Sequence, residues 1–237
     1  NTQLHDLDDG LLKDYDDSLK TFQKEHNLTI FHLMGQHVNY KLRYRKEQAK
    51  FWASSYEEKR PELTTAQRKM LSHYDNATLY NDSIVTQIVK RFQKENAIVI
   101  YVPDHGEECY EEDRGFICRN HAANIDWPLA HYEFEIPFWI YCSPKYIKTH
   151  RDIYRQIRKA KDKRFMTDAL PHLLLYLAGI ETPTYKEEYN ILSPKYNEMR
   201  PRILKNSADY DQLRDEQLKK VEKEKSKKEK SKKGDKK

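Results

Sequence analysis

No stretch of this chain approaches the ~18 consecutive apolar residues that a membrane-crossing helix needs. The longest apolar runs, residues 97–102 and 136–142, are of strand length. A secretory leader is also lacking, and the chain opens on Asn1 rather than Met. The expectation is that an N-terminal portion is missing, so the lack of a leader says nothing about the whole protein. Among the three cysteines, Cys109, Cys118 and Cys142, there is no CxxC pair, which argues against a structural zinc knuckle. Cys109 and Cys118 are close enough in sequence to close one small disulfide, which would suit an oxidising compartment; three unrelated thiols is the alternative. No internal repeat is visible.

What is present is a chain of 237 residues, long enough for one sizeable α/β domain with a real core. Its formal net charge of +5 is not evenly spread. Residues 217–237 hold 11 lysines against four acidic residues, a net of +7, which leaves residues 1–216 at −2. Only the tail is basic. A Lys/Glu/Ser run of this kind cannot bury apolar surface and is expected to be disordered or a frayed helix. It reads either as an electrostatic arm for anionic lipid or nucleic acid, or as a solubilising tail; composition alone favours the second.

Hydrophobic spacing predicts a helix over residues 11–26, with Leu11, Leu12, Tyr15, Leu19 and Phe22 on one face. Residues 28–34 (LTIFHLM) read as a buried strand broken by Gly35. Thr64 followed by Gln67 has the form of a capping box that opens a long helix running to about Asn96. The apolar stripe of that helix is expected at Met70, Tyr74, Ala77, Ile84, Ile88 and Phe92. Residues 97–102 (AIVIYV) read as a strand covered on both faces, and residues 136–142 as another strand. A long loop is expected between them. Helices follow at 150–161 and 168–178, the second stopped by Gly179. Strand, helix, strand, loop, strand, helix is the pattern of a layered α/β sheet, in which sites gather at the carboxyl ends of strands.

Two polar clusters fall at such strand ends. Pro103-Asp104-His105-Gly106-Glu107 follows residues 97–102. Adjacent carboxylate and imidazole groups can face one ion if the backbone turns sharply, and Gly106 permits the turn. Asp oxygen and His nitrogen are good ligands for zinc and similar divalent ions, and Glu107 can orient His105 from behind. The four letters DHGE are weak by themselves; their place after a buried strand gives them weight. The second cluster ends in His37, just past Gly35, with His32 inside the preceding run. A third histidine, His121, lies in the long loop sixteen residues after His105, with His131 as its rival.

The ordered set His32-x-x-Gly35-x-His37, Tyr74-Asp75-Asn76 with Tyr80 and Asp82, and Asp104-His105-Gly106-Glu107 resembles the phosphoethanolamine transferases. These belong to the sulfatase-like branch of the alkaline-phosphatase superfamily. Residues 168–180, with Asp168, His172 and Gly179, are similar to the late helix of that branch. The resemblance runs from about Leu4 to Leu204. It implies an α/β fold, an alkaline-phosphatase-like mixed sheet sandwiched by helices with the N-terminal part missing. Residues 1–205 would be the C-terminal part of the catalytic domain and 206–237 a charged tail. Asp104 and His105 would be metal ligands, for Zn2+ or another divalent metal. His37 and His121 would be catalytic, beside the metal and against the transferred phosphoryl group. Tyr74, Asp75, Asn76 and Asp82 read as structural.

The family's threonine nucleophile lies upstream, so none is named in this chain, and these residues alone are expected to be inactive. The whole protein would carry phosphoethanolamine from a phospholipid donor to lipopolysaccharide, lipid A or a related envelope glycan. It would do so as a monomer on the periplasmic face of the bacterial inner membrane, anchored by a missing N-terminal region, with no nucleic acid partner. The alternatives are a sulfatase or phosphodiesterase of the same fold, or a non-catalytic binder of anionic polymer through the lysine-rich tail.

Overall fold

The structure is a computed structural model that describes residues 5–19, 25–120 and 124–234. The chain divides into two compact units, Asn1–Val99 and Ile100–Lys237.

The first unit is built on α2 (Thr65–Phe92) and the shorter α1 (Asp9–Ser18). The predicted capping box opens α2. The Gln67 amide donates to Thr64 Oγ1 at 3.2 Å, and the Thr64 amide donates to Gln67 Oε1 at 2.8 Å. The buried face of α2 differs from the expected stripe. Leu71, Ala77, Tyr80, Ile84 and Ile88 are buried together with the polar Ser72, Asn76 and Asn81, while Met70 is exposed. Asn76 explains the shift. Its Oδ1 accepts from the amides of Lys50 (2.7 Å) and Phe51 (3.1 Å), and its Nδ2 donates to the carbonyls of Phe51 and Ser72, both at 2.8 Å. A buried amide that satisfies all four of its positions pins the irregular segment before the helix, and apolar periodicity does not register it. Three short 3-10 turns, Tyr40–Leu42, Lys46–Gln48 and Ala53–Tyr56, carry that segment across α2. Tyr40 packs edge-on against Tyr74, and the Tyr56 hydroxyl donates to Asp75.

Residues 28–34 form no helix or strand, which corrects the expectation of a buried strand. Leu28 and Ile30 are 77% and 79% exposed. Apolar composition marks what a strand can bury, and burial also needs a neighbour, which this run does not have among the described residues. It is held to the helices instead through Phe31, whose ring lies 5.3 Å from Tyr15 and 6.4 Å from Phe92.

In the second unit, β1 (Ile98–Tyr101) contributes its last two residues and pairs with β4 (Trp139–Cys142). The Tyr101 and Trp139 rings stack at 5.3 Å. β1 is only half-buried along its length, not covered on both faces as expected. The presumed long loop between these strands is structured. It holds a hairpin of β2 (Glu108–Cys109) and β3 (Ile117–Cys118), then helix α3 (Trp127–Phe134). Asp126 caps α3 by accepting from the Leu129 amide at 3.0 Å.

The three cysteines form no disulfide with one another. The hairpin register sets Cys109 opposite Ile117 and Cys118 opposite Glu108, so the two thiols are offset by one residue and alternate faces. That is the physical reason the expected pairing is not made.

Helices α4 (Pro144–Thr149), α5 (Arg151–Ala160) and α6 (Leu170–Leu177) follow, and Gly179 at φ +65 ends α6. Ala160, Leu173, Ile191 and Leu192 form a core with Phe138, Ile140 and Phe165 against it. A second core of Ala130, Leu204 and Tyr210 joins α3, the β5–β6 hairpin (Ile203–Leu204 and Ala208–Asp209) and the base of α7 (Tyr210–Gly234). Among the described residues, no helix is long and apolar enough to cross a membrane.

Candidate functional site

The Asp-His pair sits where β1 ends. Asp104 is 90% exposed at its side chain and His105 only 20%. The His105 amide donates to Asp104 Oδ1 at 3.1 Å, which folds the carboxylate back over its neighbour. His105 Nδ1 lies 2.7 Å from the Gly106 carbonyl. A carbonyl oxygen only accepts, so Nδ1 carries the proton, and the neutral ring has its lone pair at Nε2. Nε2 is 3.7 Å from Asp104 Oδ2. One ion at about 2.1 Å from each atom would subtend about 124°, wider than the tetrahedral angle zinc prefers. The donor types and the tautomer fit a divalent metal, and a tetrahedral site would draw the two atoms about 0.3 Å closer. They supply two ligands only, and no set of three His, Cys, Asp or Glu side chains converges among the described residues.

The turn is held by close packing. The Gly106 amide donates to the Glu133 carbonyl at 2.8 Å. A Cβ at position 106 would lie 2.3 Å from the Tyr132 carbonyl oxygen, so only glycine lets the strand end approach α3. Two fully buried carboxylates brace the same region. Glu108 accepts from Arg114 Nε (2.5 Å) and Nη2 (3.0 Å), and Arg114 Nη1 reaches Asp126 at 3.0 Å. The hydrogen bonds to Glu108 raise the guanidinium pKa above its ordinary value. Glu133 accepts from the Asn120 amide at 2.5 Å, with Arg119 Nε at 3.9 Å. Sequence reasoning picked Glu107 and passed over Glu108, Arg114 and Glu133. The only local signal among these groups is Asp126 before Trp127-Pro128, an N-cap pattern.

His37 lies in the first unit. Gly35 at φ +52 turns the chain, and the His37 amide donates to the Met34 carbonyl at 3.0 Å. Beneath the turn, the buried Asp8 carboxylate accepts from the amides of Met34 and Gly35, both at 2.9 Å. His37 is exposed, with Nδ1 3.4 Å from the Val38 carbonyl, so its ring is presented outward from a braced turn. Asp8 was not singled out from the sequence, and nothing near it signals this role. His121 lies outside the described residues. Its rival, His131, pairs with Glu135 at 2.9 Å and stacks on Trp127, which makes it part of the α3 surface.

The sequence profile of the family described as Sulfatase matches residues 1–180. Over 196 residues the chain is 32% identical to the phosphoethanolamine transferase EptC of Escherichia coli strain K12, a match that takes in 78% of this chain and 32% of that protein. It is 30% identical over 162 residues to the Kdo(2)-lipid A phosphoethanolamine 7''-transferase of the same strain, covering 67% of this chain and 27% of that one. Among solved structures, it is similar to the zinc complex of the C-terminal periplasmic domain of E. coli EptC. The TM-score is 0.72 at 29% identity, over 90% of this chain and 59% of that one. The chain thus spans about a third of the length of the curated relatives it matches.

Proposed function

The chain belongs to the sulfatase family, and on that footing we propose that it is part of a phosphoethanolamine transferase acting on lipid A or a related envelope glycan. The observation that carries this reading is the Asp104–His105 pair: two metal-type donors 3.7 Å apart at a strand end, with the imidazole tautomer set by its own backbone. The relatives named above, matched over most of this chain, point to transfer rather than hydrolysis.

In this reading residues 1–205 belong to the catalytic domain, and the whole protein works at the periplasmic face of a membrane that holds its phospholipid donor. Asp104 and His105 hold zinc with ligands from beyond the described residues. When bound, the metal supplies Lewis-acid polarisation of the phosphoryl group and lowers the pKa of a nucleophilic hydroxyl. The chain's own residues do the rest. His105 offers Nε2 because Nδ1 is occupied. Gly106 fixes the turn. By the family resemblance, His37, whose turn Asp8 braces, and His121 are the imidazoles assigned to stabilise charge on the non-bridging oxygens or move a proton. A nucleophilic hydroxyl outside this chain attacks the lipid's phosphorus and loses its proton; the new O–P bond forms as the P–O bond to diacylglycerol breaks, and diacylglycerol leaves protonated. An acceptor oxygen then attacks the same phosphorus, and the enzyme hydroxyl is released and reprotonated.

The test is Asp104→Ala in the whole protein, assayed by transfer of a labelled ethanolamine headgroup from phosphatidylethanolamine and by bound zinc. Both should fall. Turnover should drop more than about a hundredfold, because a metal contributes several kcal/mol to the transition state. Full turnover in the variant refutes the assignment. Release of free phosphoethanolamine by the unaltered protein, with no labelled acceptor, would make it a hydrolase instead.

A further inference from the structure

The lysine-rich segment is helical as far as Gly234. α7 runs unbroken for 25 residues, about 37 Å at 1.5 Å per residue. Its base is fastened to the second unit. Asp209 Oδ1 accepts from the amides of Asp211 (2.8 Å) and Gln212 (3.2 Å), closing the first turn. The Asp211 carboxylate is gripped by Arg202, at 3.1 and 2.5 Å, and by Arg164. The Tyr210 hydroxyl donates to Glu135, and the Tyr210 ring lies under the Arg202 guanidinium. From Leu218 on, nearly every side chain through Lys227 is exposed.

The charges on this arm are sorted. Lys219, Lys223 and Lys227 recur every four residues and so form one row, with Lys220 beside it. Among the described residues, no acidic side chain lies within ion-pair distance of these lysines. Glu222 and Glu224 flank the row on either side. A purely solubilising tail needs no such sorting.

We propose that the Lys219–Lys223–Lys227 row is a docking surface for an anionic phospholipid bilayer, which it grips by charge alone. Beyond Leu218 and Val221 the arm has no apolar residue, so it lies on the headgroups and does not insert. The choice of a bilayer over nucleic acid rests on the lipid-donor reading above. Vesicle binding is measured without turnover, however, so the two readings fail separately.

The experiment is co-sedimentation of the 237-residue chain with phosphatidylcholine vesicles, with and without roughly one-third phosphatidylglycerol, at about 0.1 M salt, where the Debye length is about 10 Å. One triple variant carries Lys219→Gln, Lys223→Gln and Lys227→Gln. The matched control carries Lys225→Gln, Lys228→Gln and Lys232→Gln, on the opposite side of the helix by its period. Glutamine keeps helix propensity. The unaltered chain should bind only the anionic vesicles and release at about 0.5 M salt. The row variant should bind roughly a hundredfold more weakly. The control should lose about fivefold, because its positions fall on the opposite side of the helix by period, where the bilayer's field is weaker by about one Debye length of screening. No preference for anionic vesicles, equal losses in the two triples, or tighter binding to a DNA duplex than to the vesicles would each overturn the proposal.

Discussion

Replacing Gly106 by alanine should destabilise the second unit by about 2–4 kcal/mol. The added Cβ would lie 2.3 Å from the Tyr132 carbonyl oxygen, and real contacts of this kind do not fall below 3.0 Å. The neighbour is helix backbone and cannot swing aside, so the strand end must retreat by most of an ångström. The retreat stretches the Gly106–Glu133 hydrogen bond, now 2.8 Å, at a loss of about 1 kcal/mol. Overpacking adds about 1–3 kcal/mol. Urea unfolding followed by Trp127 and Trp139 fluorescence, in a Trp52→Phe background that removes the first unit's tryptophan, reports on this unit directly. With a slope of about 1–3 kcal/mol per molar, the midpoint should fall by about 1–2 M. Gly115→Ala and Gly179→Ala are the controls. Both glycines have left-handed backbones, at φ +66 and +65, with nothing within 4 Å of the added carbon. They should lose only the conformational penalty of about 1–2 kcal/mol. If Gly106→Ala is no worse than Gly115→Ala, the close approach to α3 does not govern this turn.

Two further outcomes follow from the ion pairs. Arg114→Met strands the fully buried Glu108 carboxylate and should cost about 3–5 kcal/mol in the same urea assay. Adding Glu108→Gln should recover part of that loss, and strictly additive losses would show that the pair is not coupled. Hydrogen bonds from Arg202, and the nearby Arg164 and Arg214, hold the Asp211 carboxyl below its ordinary value of 3.8 despite partial burial. A lowered folded-state pKa adds stability that is present above the unfolded value and lost as pH falls through the folded one. Asp211→Asn should therefore be less stable than the parent at pH near 6, and the gap should narrow as pH falls through and below the ordinary carboxyl range. A gap that does not narrow on acidification would mean the carboxylate charge is not what fastens α7.

What could be read from the sequence was mostly local. The Thr64–Gln67 box opens α2, Gly179 ends α6, and β1 and β4 fall inside the apolar runs assigned to them. The close approach of Asp104 and His105 follows from adjacent residues alone, and their part in a metal site is the proposal made above. What was misread depends on partners far away in sequence. Residues 28–34 have a strand's composition without a neighbour to pair with. The packed face of α2 keeps Ala77, Ile84 and Ile88 of the expected stripe, but Leu71 replaces Met70 and polar Ser72, Asn76 and Asn81 join it, because a buried amide such as Asn76 takes an apolar group's place where a loop must be held. Glu108 lies inside while Glu107 is only half-buried because Arg114, six residues on, turns back to meet Glu108. The family resemblance located candidate functional histidines that no local pattern would have separated from surface ones.

The turn that carries His37 hangs from Asp8, 27 residues earlier, so its shape is not available to the segment alone. Closing a loop of that length costs about 3 kcal/mol in chain entropy. The two hydrogen bonds to the carboxylate, each about 1.5–3 kcal/mol, together supply about 3–6 kcal/mol against that cost. α2 closes its cap within four residues. The His37 turn takes this shape only with the start of the chain docked, which ties a candidate catalytic imidazole to a contact far away in sequence.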